Sequence, residues 1–138
     1  MPFDGVERPV ICILGLGFVG AAMAVAVSEA QNDEQTPCFN VIGIDLPTER
    51  GSFAIRSLNS GSFPAESNDQ DLAEAVVRAN KRGNLVATSN QDALALADIV
   101  IIDINLDLGP QDREGDFTVD FTNFLKAIES VGNRIHPG

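Results

Sequence analysis

Val10-Ile-Cys-Ile-Leu-Gly-Leu-Gly-Phe-Val-Gly-Ala-Ala-Met-Ala-Val-Ala-Val27 is the stretch that decides the fold. With Pro9 in front, Val10 to Leu14 is a β-branched apolar run of the kind that forms a strand buried on both faces. Ala21 to Val27 is small-sided and helix-prone. Gly15, Gly17 and Gly20 join the two. The stretch carries no charge and reaches the length of a minimal membrane span, about 18 residues. Its Ala-rich end also resembles an export signal. Asp4, Glu7 and Arg8 precede it in place of a positive leader, and the glycines interrupt it. It therefore reads as buried strand, turn and helix in a chain that neither enters nor crosses a membrane.

The same alternation continues downstream. After the polar segment Gln31 to Asn40, Val41-Ile-Gly-Ile44 reads as a second strand ending at Asp45. Pro47 suits a helix start, and Thr48 to Asn59 continues it. Asn59-Ser-Gly-Ser-Phe-Pro64 is a turn cluster. Asp69 to Arg82 places Leu72, Ala73, Val76 and Val77 at helical spacing, with Gly83 as the stop. Leu85 to Thr88 and Ile99 to Ile102 are further strands, with Asn90 capping a helix from Gln91 to Ala97 between them. Asn105 to Asp116 reads as an acidic loop. Val119 to Val131 reads as a last helix with Phe121, Phe124, Leu125 and Ile128 on one stripe. The order βα βα α βα βα predicts an α/β fold, a parallel sheet with right-handed crossovers and helices on both faces; a Rossmann-like, doubly wound sheet of this kind takes strand order 3-2-1-4.

Length and composition set the limits. The 138 residues suffice for one domain, residues 1–138, and hydrophobic residues at 44% with charged ones at 21% are globular values. A net charge of −11 disfavours nucleic acid and anionic lipid as partners. Cys12 in an apolar run and Cys38 in a loop form no disulfide framework and suit a reducing, cytoplasmic setting. Neither has the basic neighbourhood of a nucleophile. The end at His136-Pro137-Gly138, where a further strand would be expected, reads as that of a fragment.

The chemistry lies in the glycines. Gly15, Gly17 and Gly20 match G-x-G-x-x-G between a strand and a helix. The first permits a tight turn, the second lets a pyrophosphate approach the backbone, and the third lets helix and strand pack closely. The helix N-terminus then offers N–H groups and a partial positive charge to an anion. Asp45, 25 residues beyond Gly20, ends the second strand where a carboxylate accepts the ribose hydroxyls of NAD and repels the 2′-phosphate of NADP. Arg50 is a residue that can accommodate that phosphate. With Asp45 present the expectation is NAD. The bland alternative is that Asp45 caps the helix after Pro47.

Ile11 to Gly20, then Val41-Ile-Gly-Ile-Asp45 with Arg50, resembles the N-terminal domain of the UDP-glucose/GDP-mannose dehydrogenase family. Leu58-Asn-Ser-Gly61, Gly83-Asn-Leu-Val-Ala-Thr88 and Ala97-Asp-Ile-Val-Ile-Ile102 are similar to that family's LN-x-G, GxLxAT and ADxxII segments, in the same order. The resemblance implies that Gly15, Gly17, Phe18, Val19 and Gly20 hold a pyrophosphate, and that Asp45 and Arg50 hold the adenosine ribose and its surroundings. It further implies an NAD-dependent nucleotide-sugar dehydrogenase as parent protein, a homo-oligomer oxidising the C6 hydroxyl of a UDP- or GDP-sugar to a carboxylate through a thiohemiacetal on a cysteine. The family's catalytic Lys, Asn and Cys would lie beyond residue 138, so no catalytic residue is assigned and the chain alone is expected to oxidise nothing. Three departures stand out. Ile104-Asn-Leu-Asp107 replaces the family's Val-Pro-Thr-Pro-like turn and its threonine. Glu66-Ser67 replaces a Glu-Pro, and Gln31 to Asn40 is longer than the usual turn.

Other readings are weaker. Asp103, Asn105, Asp107 and Glu114 fall in a calcium-loop register, but Leu108 stands where that loop needs glycine, so no metal is expected. His136 is the only histidine and makes no metal site alone. A non-catalytic NAD-sensing module is the main alternative to the enzyme, and a methyl donor-binding domain is a third. An open sheet edge would also expose apolar surface and favour self-association.

Overall fold

The computed structural model describes residues 3–108 and 119–136. Four strands, β1 (Val10–Leu14), β2 (Asn40–Ile44), β3 (Leu85–Thr88) and β4 (Ile99–Ile102), form one parallel sheet in the order β3-β2-β1-β4. The central pair is buried along its whole length, which is why these strands read as unbroken apolar runs with no alternation. Register is fixed on both sides of β1: Leu14 lies opposite Ile44 of β2 and Ile102 of β4. Asp45 and Asp103 are therefore the first residues past the strand ends on either side of Gly15.

Helices α1 (Phe18–Glu29), α2 (Glu49–Asn59) and α3 (Gln70–Arg82) cover one face. Their core includes Ile11, Ile13, Val25, Val41, Leu58 and Val76. Thr48 caps α2 by accepting from Gly51 N–H at 3.1 Å, and Asp69 caps α3 by accepting from Leu72 N–H at 3.1 Å. Gly83 ends α3 in the left-handed region, φ +72°, the expected glycine stop. At the far end of α1, Glu29 pairs with both Arg78 and Arg82 of α3. Buried Asn84 donates to the carbonyls of Ser28 and Phe39 at 2.8 and 3.1 Å, binding the helix ends to the sheet.

The other face is thinner. Gln91–Leu96 forms a 3-10 turn, capped by Asn90, where the sequence predicted an α-helix. Directly after it, Asp98 accepts from Val10 N–H at 2.7 Å, which ties the chain to the start of β1 as it enters β4. Helix α4 (Thr122–Gly132) starts three residues later than predicted, because Val119–Asp120 forms β6, antiparallel to β5 (Asp107–Leu108), and Phe121 is the N-cap. The expected stripe is also not the face that meets the core. Val131 and Ala127 meet the core, whereas Phe121, Leu125 and Ile128 are exposed. Gly109, Pro110 and Glu114 lie outside the described residues.

The long segment from Gln31 to Asn40 is closed by a bridge between Gln31 and Pro37. Asn32 accepts from the N–H groups of Glu34 and Thr36 at 3.0 Å each, shaping it into a compact turn.

One motif residue has a purely architectural place. Asn59, at the end of α2, donates to Ala87 carbonyl at 2.9 Å and accepts from Ala87 N–H at 2.8 Å. A side-chain amide thus pairs with edge strand β3 as a neighbouring strand would. Replacing Asn59 with Ala removes both bonds and is expected to cost about 1–2 kcal/mol, read as a lowered urea midpoint at unchanged slope. An unchanged midpoint would show that the clamp contributes nothing.

Candidate functional site

The C-terminal ends of the strands converge on the loop from Gly15 to Gly20. Gly15 adopts φ +104°, and a Cβ there would stand 1.9 Å from the Asp103 carbonyl oxygen. A Cβ on Gly20 would stand 1.9 Å from the Gly15 carbonyl oxygen. Both glycines are therefore required by the fold itself. Gly17 differs, because its φ of −66° suits any residue and a Cβ there would meet nothing within 4 Å. Glycine at this position leaves space in front of α1 and relieves no contact within the chain.

That space opens onto an uncapped helix end. Gly17 is the N-cap of α1, supplies no side-chain bond, and no acidic residue stands in the first turn. The first helical bond runs from Ala21 N–H to Gly17 carbonyl at 2.9 Å, so the N–H groups of Phe18, Val19 and Gly20 precede it. Gly17, Phe18 and Val19 are exposed, and the Phe18 ring rests edge-on against Phe63 with centroids 5.4 Å apart. Leu16, the first x of the motif, is buried and covers Gly43 of β2, where a Cβ would come within 2.8 Å of it.

Asp45 stands at the β2 side of this loop. One carboxylate oxygen accepts from Leu16 N–H at 2.9 Å and the other from Leu46 N–H at 2.7 Å. Asp45 therefore joins the glycine loop to the β2–α2 corner, and each oxygen keeps a lone pair for another donor. It does not cap α2, since Thr48 does. Arg50 lies in the first turn of α2, exposed, on the same corner. No ion pair joins it to Asp45 among the described residues.

The sequence reading passed over Asp103 as part of this region. Its N–H bonds to Leu14 carbonyl at 2.8 Å. Its backbone lies against Gly15, and a carboxylate oxygen comes to 3.0 Å from the position of a Cβ on Gly20. The residue stands one position past β4, and Glu114, the last position of the calcium-type register, lies outside the described residues. The signal available in the sequence was its position, one residue past a strand flanking the glycine strand.

Cys12 lies in the middle of β1, fully buried, its thiol directed at Ala93 carbonyl, 3.7 Å away. Burial pushes its pKa up to about 12. The thiolate is the charged form, so the folded chain resists losing this proton. The resulting stabilisation is complete below the ordinary value of 9.0 and is lost as the pH rises toward about 12.

Two predictions follow from these placements. Gly17→Ala should keep the wild-type melting temperature within experimental error, whereas Gly20→Ala should lose about 3 kcal/mol or more, because backbone must move; thermal unfolding of the pair distinguishes them. Alkylation of the folded chain at pH 8 should modify Cys38 and spare Cys12, with both modified in denaturant. Rapid native labelling of Cys12 would contradict its burial.

Comparison with known proteins agrees with the geometry. The family model for the UDP-glucose/GDP-mannose dehydrogenase family, NAD binding domain, matches residues 9–138. An NDP-N-acetyl-D-galactosaminuronic acid dehydrogenase from Methanosarcina mazei Go1 is similar in structure at TM-score 0.80 and 26% identity, over 96% of this chain and 26% of that one. A GDP-mannose dehydrogenase from Pseudomonas aeruginosa gives TM-score 0.66 at 25% identity, over 88% and 24% of the two chains. A UDP-glucose dehydrogenase from the archaeon Pyrobaculum islandicum shares the fold at TM-score 0.69 and 23% identity, over 94% and 26%. The chain thus spans about a quarter of the length of these enzymes. No curated protein sequence matches it. On the strength of the match over residues 9–138, the chain belongs to the UDP-glucose/GDP-mannose dehydrogenase family, as its NAD-binding domain.

Proposed function

We propose that the loop Gly15 to Gly20 and the Asp45 corner hold NAD, and that the chain serves as the cofactor-binding part of a longer nucleotide-sugar dehydrogenase. The observation that carries this reading is the uncapped N-terminus of α1 at Gly17, open in front and flanked by a carboxylate with free lone pairs. The N–H groups of Gly17, Phe18 and Val19 would bind the pyrophosphate, where the helix end supplies partial positive charge. Gly15 and Gly20 hold the loop in the required shape. Asp45 would accept from the hydroxyls of the adenosine ribose, which favours NAD over NADP through repulsion of a 2′-phosphate. Arg50, exposed at the same corner, would lie beside the adenosine and moderate that repulsion.

When bound, NAD supplies a hydride acceptor for oxidation of a substrate alcohol. In the parent enzyme that alcohol would be the C6 hydroxyl of a UDP- or GDP-sugar, carried to the carboxylate in two rounds, with the chain alone inactive. The similarity to enzymes acting on GDP-mannose and UDP-glucose supports this substrate class. Cys12, buried and protonated, is unsuited to be the nucleophile of such a reaction, so that group would come from other parts of the parent. Exposed Ile99 on the outer strand and Phe121, Leu125 and Ile128 on α4 offer surface for the remainder of the parent or for another subunit. No helix among the described residues is long and apolar enough to cross a membrane; the free thiols Cys12 and Cys38 suit the reducing cytoplasm proposed for the parent.

Calorimetric titration tests the cofactor site directly. NAD should bind more tightly than NADP, and Asp45→Ala should weaken NAD by about 1–3 kcal/mol, the value of hydrogen bonds to a charged acceptor. Asp45→Asn, which keeps an oxygen for Leu16 N–H, should narrow the preference for NAD over NADP. Absence of NAD binding to the wild-type chain would overturn the reading.

A further inference from the structure

We propose that Asp103 is a second ribose acceptor, placed on the nicotinamide side of the glycine loop as Asp45 is on the adenosine side. The inference rests on the reading of that loop as a dinucleotide site and extends it to a residue outside the motif.

The register supplies the first argument. Leu14 pairs with Ile44 on one side and Ile102 on the other, so the two aspartates occupy equivalent positions flanking Gly15. A dinucleotide is chemically symmetric about its pyrophosphate, with a ribose diol on either side. If the pyrophosphate lies on the central loop, one ribose extends over the end of β2 and the other over the end of β4. The crevice between the ends of the first and fourth strands is also where sheets of this order bind ligands.

The state of the carboxylate supplies the second. Asp103 is half-buried, with an oxygen against Gly20 in the first turn of α1. Unlike that of Asp45, its carboxylate has no hydrogen-bond or ion-pair partner among the described residues. A partly desolvated carboxylate without donors is unfavourable, although the positive end of α1 offsets part of that cost. A vicinal diol supplies two O–H donors in one plane, and bonds from such donors to a carboxylate are short and strong.

The opposite electrostatic outcome is the natural competitor, since a carboxylate near a diphosphate repels it. Titrating the chain and its Asp103→Asn and Asp103→Ala variants with NAD, ADP-ribose and ADP separates the two. ADP-ribose carries the second ribose without the nicotinamide, and ADP carries neither. Both variants should weaken NAD and ADP-ribose by roughly tenfold or more, as expected for lost charge-assisted bonds, while ADP binds as to the wild type. Retained ADP affinity also shows that the variants are folded. Unchanged NAD binding, an equal change for all three ligands, or tighter binding to the variants would each overturn the assignment and leave the cofactor site standing. A wild-type chain that binds none of the three, ADP included, would overturn the site and the assignment together.

Discussion

Three stretches of backbone meet where there is no room for a single side-chain carbon. The Asp103 carbonyl presses on Gly15, and the Gly15 carbonyl presses on Gly20. This contact sets the distance between the end of β1, the end of β4 and the first turn of α1. It aims α1 outward from the sheet end, and leaves its N–H groups at the mouth of the crevice. Leu16, turned inward over Gly43, locks the loop from below. The remaining parts of the site are arranged around that fixed point.

The contact also reconciles a strongly acidic chain with an anionic cofactor. At a net charge of −11, the far field repels phosphate, and attraction must come from close range. Oriented backbone N–H groups and the helix dipole act within the first turn and are unaffected by side-chain titration. Asp45, although negative, contributes by accepting from Leu16 N–H and so keeping the loop in register. The same carboxylate thus has a structural bond on each oxygen and a lone pair left on each for a further donor.

Most of the framework was legible in the sequence because it depends on local pattern. The strands β1, β2, β3 and β4 begin and end within a residue of their apolar runs, and Gly83 stops α3 as its position implied. Strand order came with the Rossmann-like reading of the alternating elements and the glycine loop, since right-handed crossovers alone fit several orders. What could not be read depends on contacts distant in sequence. Periodicity put Phe121, Leu125 and Ile128 on one side of α4, yet only the surrounding structure selects Val131 and Ala127 for the sheet. The 3-10 turn after Asn90 leads into a bond between Asp98 and Val10, 88 residues apart, which no local pattern announces. The glycine fingerprint named its residues but not their division of labour, in which Gly15 and Gly20 relieve backbone contacts and Gly17 keeps a space. Asn59 belongs to a motif shared with the family, and its role emerged only from its two bonds to Ala87.

Those two bonds give the sheet a direction. In a parallel ladder alternate residues of an edge strand turn their peptide groups outward, and on the four-residue strand β3 Ala87 is one of them. With an amide from α2 seated there, an incoming strand finds the position already filled. No such plug lies along β4 among the described residues, where Ile99 is bare. Accretion of further strands is therefore vectorial: the β3 flank is terminated from within by one asparagine, and any enlargement of the sheet must proceed outward from β4.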